Sequence, residues 1–277
     1  MVNKKIFYSI VCLFCLLAVV QLVTAYGAES VNKNPNWTLV WSDEFDGPNG
    51  SPPDPQKWSY DIGAGGWGNE ELEYYTDSTK NSFQENGNLI IRALEEKYKG
   101  SRYTSARLVT KAKFEQTYGK FEARIKIPGG KGVWPAFWLL GSDYDPAKKN
   151  WPQCGEIDIM ENIGTEPSIV HASMHGPGYS DETAFTKKYT LPGDQKFLSD
   201  YHVFAVEWEP NEVRYYVDGN NYYTVKKAEV LSKGEWVFDK PFYIILNVAV
   251  GGDWPGSPEE TAFPQNLYVD YVRVYKR

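Results

Sequence analysis

Apolar and polar positions along this chain alternate in short runs, and almost nowhere do they recur with the 3.6-residue period of a helix. Runs of this kind, together with the apolar stretches 134–140 and 242–250, cover 37–41, 58–62, 89–94, 107–113, 121–127, 169–175, 201–208, 213–217, 222–225 and 268–274. Turn residues separate them, among them Glu85-Asn86-Gly87-Asn88, Pro128-Gly129-Gly130 and Asp218-Gly219-Asn220. The last is a hairpin signal. The glycine-rich stretch 63–69 reads as a loop holding Trp67, and it lacks the flanking strand and helix of a phosphate cradle. The best helical candidate is a short one at 228–233. Roughly a dozen strands with turns between them predict an all-β sandwich.

One run breaks the alternation. In Cys154-Gly155-Glu156-Ile157-Asp158-Ile159-Met160-Glu161-Asn162, a strand puts Glu156 and Asp158 on one face and Ile157 and Ile159 on the other. Strict alternation would then bury Glu161 among the isoleucines, which is costly for a charge. A helix would send Glu156 and Glu161 to different faces. The pattern therefore predicts a β-bulge near Met160 that returns Glu161 to the acidic face.

The N-terminus follows a different rule. Lys4 and Lys5 precede an apolar run over 6–23, with small residues at Ala25, Gly27 and Ala28. This predicts a signal peptide over 1–28 and a single domain over 29–277, although the apolar run is also long enough for an uncleaved anchor. Two of the three cysteines fall in that segment, so Cys154 is left alone and no intrachain disulfide can form after processing. A lone cysteine here reads as a small buried hydrophobe, not a nucleophile.

The formal charge is −7, and removing Lys4 and Lys5 makes it −9. That balance argues against a nucleic acid or another anionic polymer as partner. Ten Trp and twenty Tyr exceed what a core needs, and such side chains suit surfaces that stack on sugar rings. Trp134, Ala136 and Trp138 share one strand face, about twenty residues before Glu156 and Asp158. Tryptophans beside paired carboxylates are what a glycosidase cleft requires. His171, Ser173 and His175 also share a face, while His171 and His202 read as packing residues.

These motifs together resemble one family. Gly155 to Glu161 is similar to the bulged Glu-x-Asp-x-x-Glu signature of glycoside hydrolase family 16, and Trp134 to Gly141 to the motif preceding it in the laminarinase branch. Gly66-Trp67-Gly68-Asn69 with Tyr74-Tyr75-Thr76, Tyr118 to Glu122, Leu246 to Gly252 and Trp254-Pro255-Gly256 match in the same order. The likeness runs from about residue 37 to the C-terminus. It implies a β-jelly-roll sandwich (concanavalin A-like) of two curved antiparallel sheets, with a substrate cleft on the concave face. It also implies a retaining endo-β-1,3-glucanase acting on laminarin-type glucans. In that scheme Glu156 is the nucleophile, Glu161 the general acid and base, and Asp158 the residue between them that tunes their protonation. Retaining pairs lie roughly 5–5.5 Å apart, so the bulge and strand curvature must draw the two glutamates together.

The same resemblance implies sugar-binding roles for Trp67, Asn69, Arg107, Trp134, Trp138, His175, Asn247 and Trp254. It implies no cofactor for catalysis and a structural calcium at Glu44, Gly87 and Asp270, with backbone and carboxylate oxygens as ligands. Glu70 stands where relatives often carry an amide. The alternatives are mixed-linkage β-1,3-1,4-glucan or galactan hydrolysis, glucan transfer, or a non-catalytic β-glucan-binding protein. Relatives of the last kind lack the glutamate pair, which this chain has. The expectation is a secreted monomer whose partner is a neutral β-glucan polysaccharide, with no nucleic acid and no stable membrane partner once the signal is removed.

Overall fold

The computed structural model describes residues 37–277, so the expected signal segment lies outside the described residues. From the N-terminus the strands are β1 (Thr38–Asp43), β2 (Ser59–Tyr60), β3 (Glu73–Tyr75), β4 (Ser82–Glu85), β5 (Asn88–Tyr98) and β6 (Ser101–Ser105). Then come β7 (Arg107–Val109), β8 (Gly119–Lys126), β9 (Val133–Gly141), β10 (Glu156–Glu161), β11 (Ile169–His175) and β12 (Phe185–Thr190). The last are β13 (His202–Glu209), β14 (Glu212–Val217), β15 (Asn220–Lys226), β16 (Phe242–Val250) and β17 (Gln265–Lys276). Among the described residues the α-helix, α1 (Lys227–Val230), is a single turn.

Two sheets result. A ten-stranded sheet runs β15-β14-β13-β8-β17-β5-β6-β3, with β1 also paired to β17 and β4 to β5. A seven-stranded sheet runs β12-β11-β10-β9-β16-β7-β2. Strand pairs are antiparallel except β3 with β6. Apolar residues from both sheets meet in one cluster: Phe121, Ala123, Val272 and Val274 from the first, Phe137, Leu139, Ile157, Ile159, Ile244 and Leu246 from the second. Each fully buried Val, Leu, Ile or Phe contributes roughly 1.5–3 kcal/mol. Cys154 is free and buried, so this core holds the described fold without a disulfide.

The bulge is present where the alternation fails. Ile157, Ile159 and Met160 are no more than 1% exposed, two of them consecutive. Against β9, Asp158 faces Trp138 but Met160 faces Phe137, so two residues of β10 oppose one of β9. The hairpin also follows its sequence: Asp218 and Gly219 have φ of 50° and 77°, the positive values that a two-residue primed turn needs.

Some elements differ from expectation. Strands β3, β4, β6 and β12 lie outside the runs picked out by alternation. β3 and β4 are short, and β6 (SRYTS) and β12 (FTKKYT) are polar. Strand β7 stops at Val109 because Thr110 turns the chain, accepting Lys113 N–H on its carbonyl and donating its hydroxyl to Phe114 O. The helix at 228–233 is shorter than expected and begins one residue earlier.

Candidate active site

Three rows of side chains cross the seven-stranded sheet. Glu156 lies between Leu140 and His175, Asp158 between Trp138 and Ser173, and Glu161 between Ala136 and His171. Along β9 and β11 these partners step by two residues, as regular strands must. Along β10 they step by two and then by three, because the bulge absorbs one residue. The last row continues from Ala136 to Asn247 on β16 and Arg107 on β7. Thus residues far apart in sequence are gathered on one sheet face by register alone.

The acids are held by indole donors. Trp151 Nε1 donates to Glu156 Oε2 at 3.0 Å, and Trp134 Nε1 to Glu161 Oε1 at 3.1 Å. His175 Nε2 sits 3.2 Å from Asp158 Oδ2 and 3.9 Å from Glu156 Oε1. Burial, reinforced by the Asp158 charge, pushes Glu156 up to about 8 and Glu161 well above the usual carboxylate range. His175, Trp151 and Arg107 favour the ionised form of Glu156; on Glu161 only His175 and Trp134 act that way. More of these partners favour the ionised form of Glu156 than that of Glu161.

Burial would lower His175, yet its contact with Asp158 and the charges of Glu156, Asp158 and Glu161 lift it to about 10. The Asp181 N–H donates to Nδ1 at 3.2 Å, so in this geometry the ring is the neutral tautomer with its proton on Nε2 toward Asp158, and charging it requires giving up that bond. Glu156, Asp158 and His175 could hold a cation, but the histidine is directed toward the acids as a donor. The Cys154 thiol is buried and pushed up to about 12, first by desolvation, so it is no nucleophile.

Beside the acids runs an aromatic wall. The Arg107 guanidinium lies 5.0 Å from the Trp67 ring centre and 4.7 Å from that of Trp138, while Nε donates to Asp61 Oδ2 at 3.0 Å. Trp138 Nε1 donates to Asn247 Oδ1 at 2.8 Å. Asn69 is tied to Glu71. On the other side Trp254, 40% exposed, stands edge-on to Trp134 and His171 at 5.2 and 4.8 Å. The structure thus brings Trp67, Arg107, Trp138 and Asn247 together near Asp158, and Trp134 and Trp254 near Glu161.

The chain matches Glycosyl hydrolases family 16 over residues 68–273. This protein belongs to that family. It is 44% identical over 268 residues to a beta-glucanase of Rhodothermus marinus, covering 94% of this chain and 93% of the relative. The laminarinase catalytic domain of Thermotoga maritima superposes with a TM-score of 0.81 at 49% identity, over 87% of this chain and 99% of that one. SCLam, a non-specific endo-beta-1,3(4)-glucanase of family 16, gives 0.79 at 36%, over 87% of this chain and 91% of that one. As a family 16 member the protein is a glycoside hydrolase with a jelly-roll fold, and glycosidases of this kind work through side-chain carboxyls.

Family 16 motifs left some neighbours of the acids unassigned. Trp151 sits in the loop before β10, where no periodicity marks it. His171 was legible as a face-mate of His175, but its edge contact with Trp254 and its 2.8 Å bond to Glu166 depend on the folded chain. Glu71, Glu73 and Tyr75, all buried, were not read as part of the site.

The expected calcium ligands fall near one another. β1 and β5 share one edge of β17, with Asp43 opposite Val272 and Leu89 opposite Val269, and Asp270 lies at the gap between them. Yet Glu44 is bound through both oxygens by Arg273, and Asp270 Oδ2 by Arg124 at 2.6 Å. What remains for a cation is backbone carbonyls and the second Asp270 oxygen, an all-oxygen set of the kind calcium takes.

Proposed function

We propose that this protein is a secreted, monomeric, retaining endo-1,3-β-glucanase that cleaves internal bonds of neutral, laminarin-type glucans. The observation that carries this is the third row of the sheet, where the bulge places Glu161 on the same face as Glu156 and beside Trp134. The likeness to laminarinases over most of the chain supports the choice of linkage. The acidic balance agrees with a neutral polysaccharide, and the N-terminal sequence pattern with export.

In this reading a glucosyl unit lies against the tryptophans with its anomeric carbon facing Glu156. A Glu156 oxygen attacks that carbon while Glu161 gives its proton to the glycosidic oxygen, so the leaving chain departs as an alcohol. The glucosyl–Glu156 ester is then opened by water, whose proton returns to Glu161. The Asp158–His175 contact keeps a donor beside Glu156 and holds negative charge near Glu161, favouring retention of its proton. No cofactor enters these steps. We also propose a structural calcium at Asp270 with the carbonyls of Glu44 and Gly87, remote from the chemistry.

The test is hydrolysis of laminarin by wild type, Glu156→Gln and Glu161→Gln. Each variant is expected to lose at least about 10²–10⁴-fold in kcat with melting retained. Glu161→Gln should recover on an aryl glucoside whose leaving group needs no proton; Glu156→Gln should not. A variant that turns over laminarin at the wild-type rate rejects the assignment. Product analysis on laminarin and lichenan distinguishes a β-1,3 enzyme from the broader cleavage that SCLam's description carries.

A further inference from the structure

Glu71 and Glu73 lie outside the catalytic rows, and both are buried, at 8% and 0% exposed. Glu73 Oε2 accepts the Val250 N–H at 2.6 Å. Its other oxygen, Oε1, is buried and receives no donor among the described residues. The Glu73 carboxyl is nevertheless within hydrogen-bonding reach of Glu71. Glu71 already receives two donors, Asn69 Nδ2 on Oε1 and the Tyr75 hydroxyl on Oε2, each at 3.0 Å.

Two carboxyls in contact inside a protein do not both ionise. Glu71 has donors on both oxygens and is the acceptor of the pair. Glu73 has one oxygen with nothing to accept, so it is the donor. We infer that Glu73 keeps its proton on Oε1, gives it to Glu71, and is thereby a positioning residue for the sugar-binding wall of the cleft.

The connection to that wall is continuous. Glu71 fixes Asn69 on one oxygen and Tyr75 on the other. The Tyr75 hydroxyl accepts Asn247 Nδ2 at 3.1 Å, and Asn247 Oδ1 accepts Trp138 Nε1 at 2.8 Å. Trp138 stands opposite Asp158 in the sheet. Removing the proton would place two like charges at the start of this chain. Burial first, and then the Glu71 charge, hold Glu73 well above the usual carboxylate range.

Other titratable groups lie near the pair without supplying the missing donor. Tyr103 lies opposite Glu73 on β6, and Arg102 and Glu259 line the same cavity of about 430 Å³ as the pair. Arg102 is bound to Glu95. Arg107 is bound to Asp61 and lies within electrostatic reach of Glu71 and Tyr75. Val250, on β16, offers only its backbone.

The positioning role rests on the cleft binding glucan as proposed above, whereas the proton does not. Glu73→Gln keeps the shape and replaces the acid O–H with an amide N–H, and three measurements on the whole protein separate the possibilities. First, the infrared difference spectrum of wild type minus Glu73→Gln at pH 8 should contain a protonated-carboxyl band; its absence overturns the proposal.

Second, a group whose folded pKa is raised loses its stabilising contribution as pH rises from the ordinary carboxylate range toward the folded value. Wild-type Tm should therefore fall relative to Glu73→Gln between pH 5 and 9, the gap widening by about 2–4 °C or more. Parallel curves overturn the proposal. Glu71→Gln, which removes the charged neighbour, should flatten the wild-type slope in the same way, and it decides the matter if Glu73→Gln does not fold.

Third, KM for laminarin should rise about fivefold more in wild type than in Glu73→Gln over that range, with kcat tracking together. Identical KM profiles beside the expected infrared and melting results would leave the proton in place and overturn the positioning role. A wild type inactive on every glucan would instead reject the glucanase reading, with the first two measurements unaffected.

Discussion

Asp158 is 3% exposed and is the strongest charge acting on both glutamates. Because Glu156 and Glu161 are raised in the folded state, the native protein binds more protons than the unfolded chain from about pH 4.5 to 8 and beyond. Stability must therefore fall as pH rises through that window. His175, raised to about 10, adds a loss in the same direction further up. Asp158→Asn removes the charge responsible, so its Tm should decline less steeply than wild type between pH 5 and 9. Equal slopes would show that burial alone sets these values. The phase of the three acids was legible because isoleucine and carboxylate contrast so strongly along β10. The Trp151 donor was not, since an indole in an irregular loop gives no hint of where its N–H will point.

At the scale of elements, β7, β16 and β9 supply a wall on which Arg107 is sandwiched between Trp67 and Trp138 and bound to Asp61. Lysine has the charge but not the flat face or the fork, so Arg107→Lys should loosen both indoles. A cation–π contact between partly desolvated groups contributes about 0.5–2 kcal/mol, which predicts a rise in KM for laminarin of about 2–30-fold. The kcat should change less, because Arg107 donates to neither glutamate; a kcat loss at unchanged KM would count against this role. Strands with clear alternation, such as β11, or with a continuous apolar run, such as β9 and β16, could be read from sequence within a residue or so. Strands β6 and β12 could not, because mostly polar side chains produce no contrast between faces. Register was illegible too, and only register brings Asn247 and Arg107 into line with Glu161.

For the molecule as a whole, the likeness of fold was readable because many short motifs fall in one order along the chain. The calcium set was implied by the same likeness, but the arginines bound to Glu44 and Asp270 were not. Those pairings leave few ligand oxygens, so the ion should bind weakly and act on stability rather than on chemistry. Millimolar calcium is expected to raise Tm by about 2–5 °C over a chelator-treated sample, and Asp270→Ala to abolish the response. Superimposable melting curves with and without calcium would remove the metal from the account.

The bulge in β10 has one further consequence, for length. Between the partners of Asp158 and Glu161, both β9 and β11 count two residues where β10 counts three. The neighbouring strands therefore do not fix how many residues β10 uses there. A chain with Ile159 or Met160 missing would keep its first acids and its last acid in their existing pairings, and the strand would simply become regular. At this one point a deletion is a change of local reach between the carboxyls, not a frame error for the sheet.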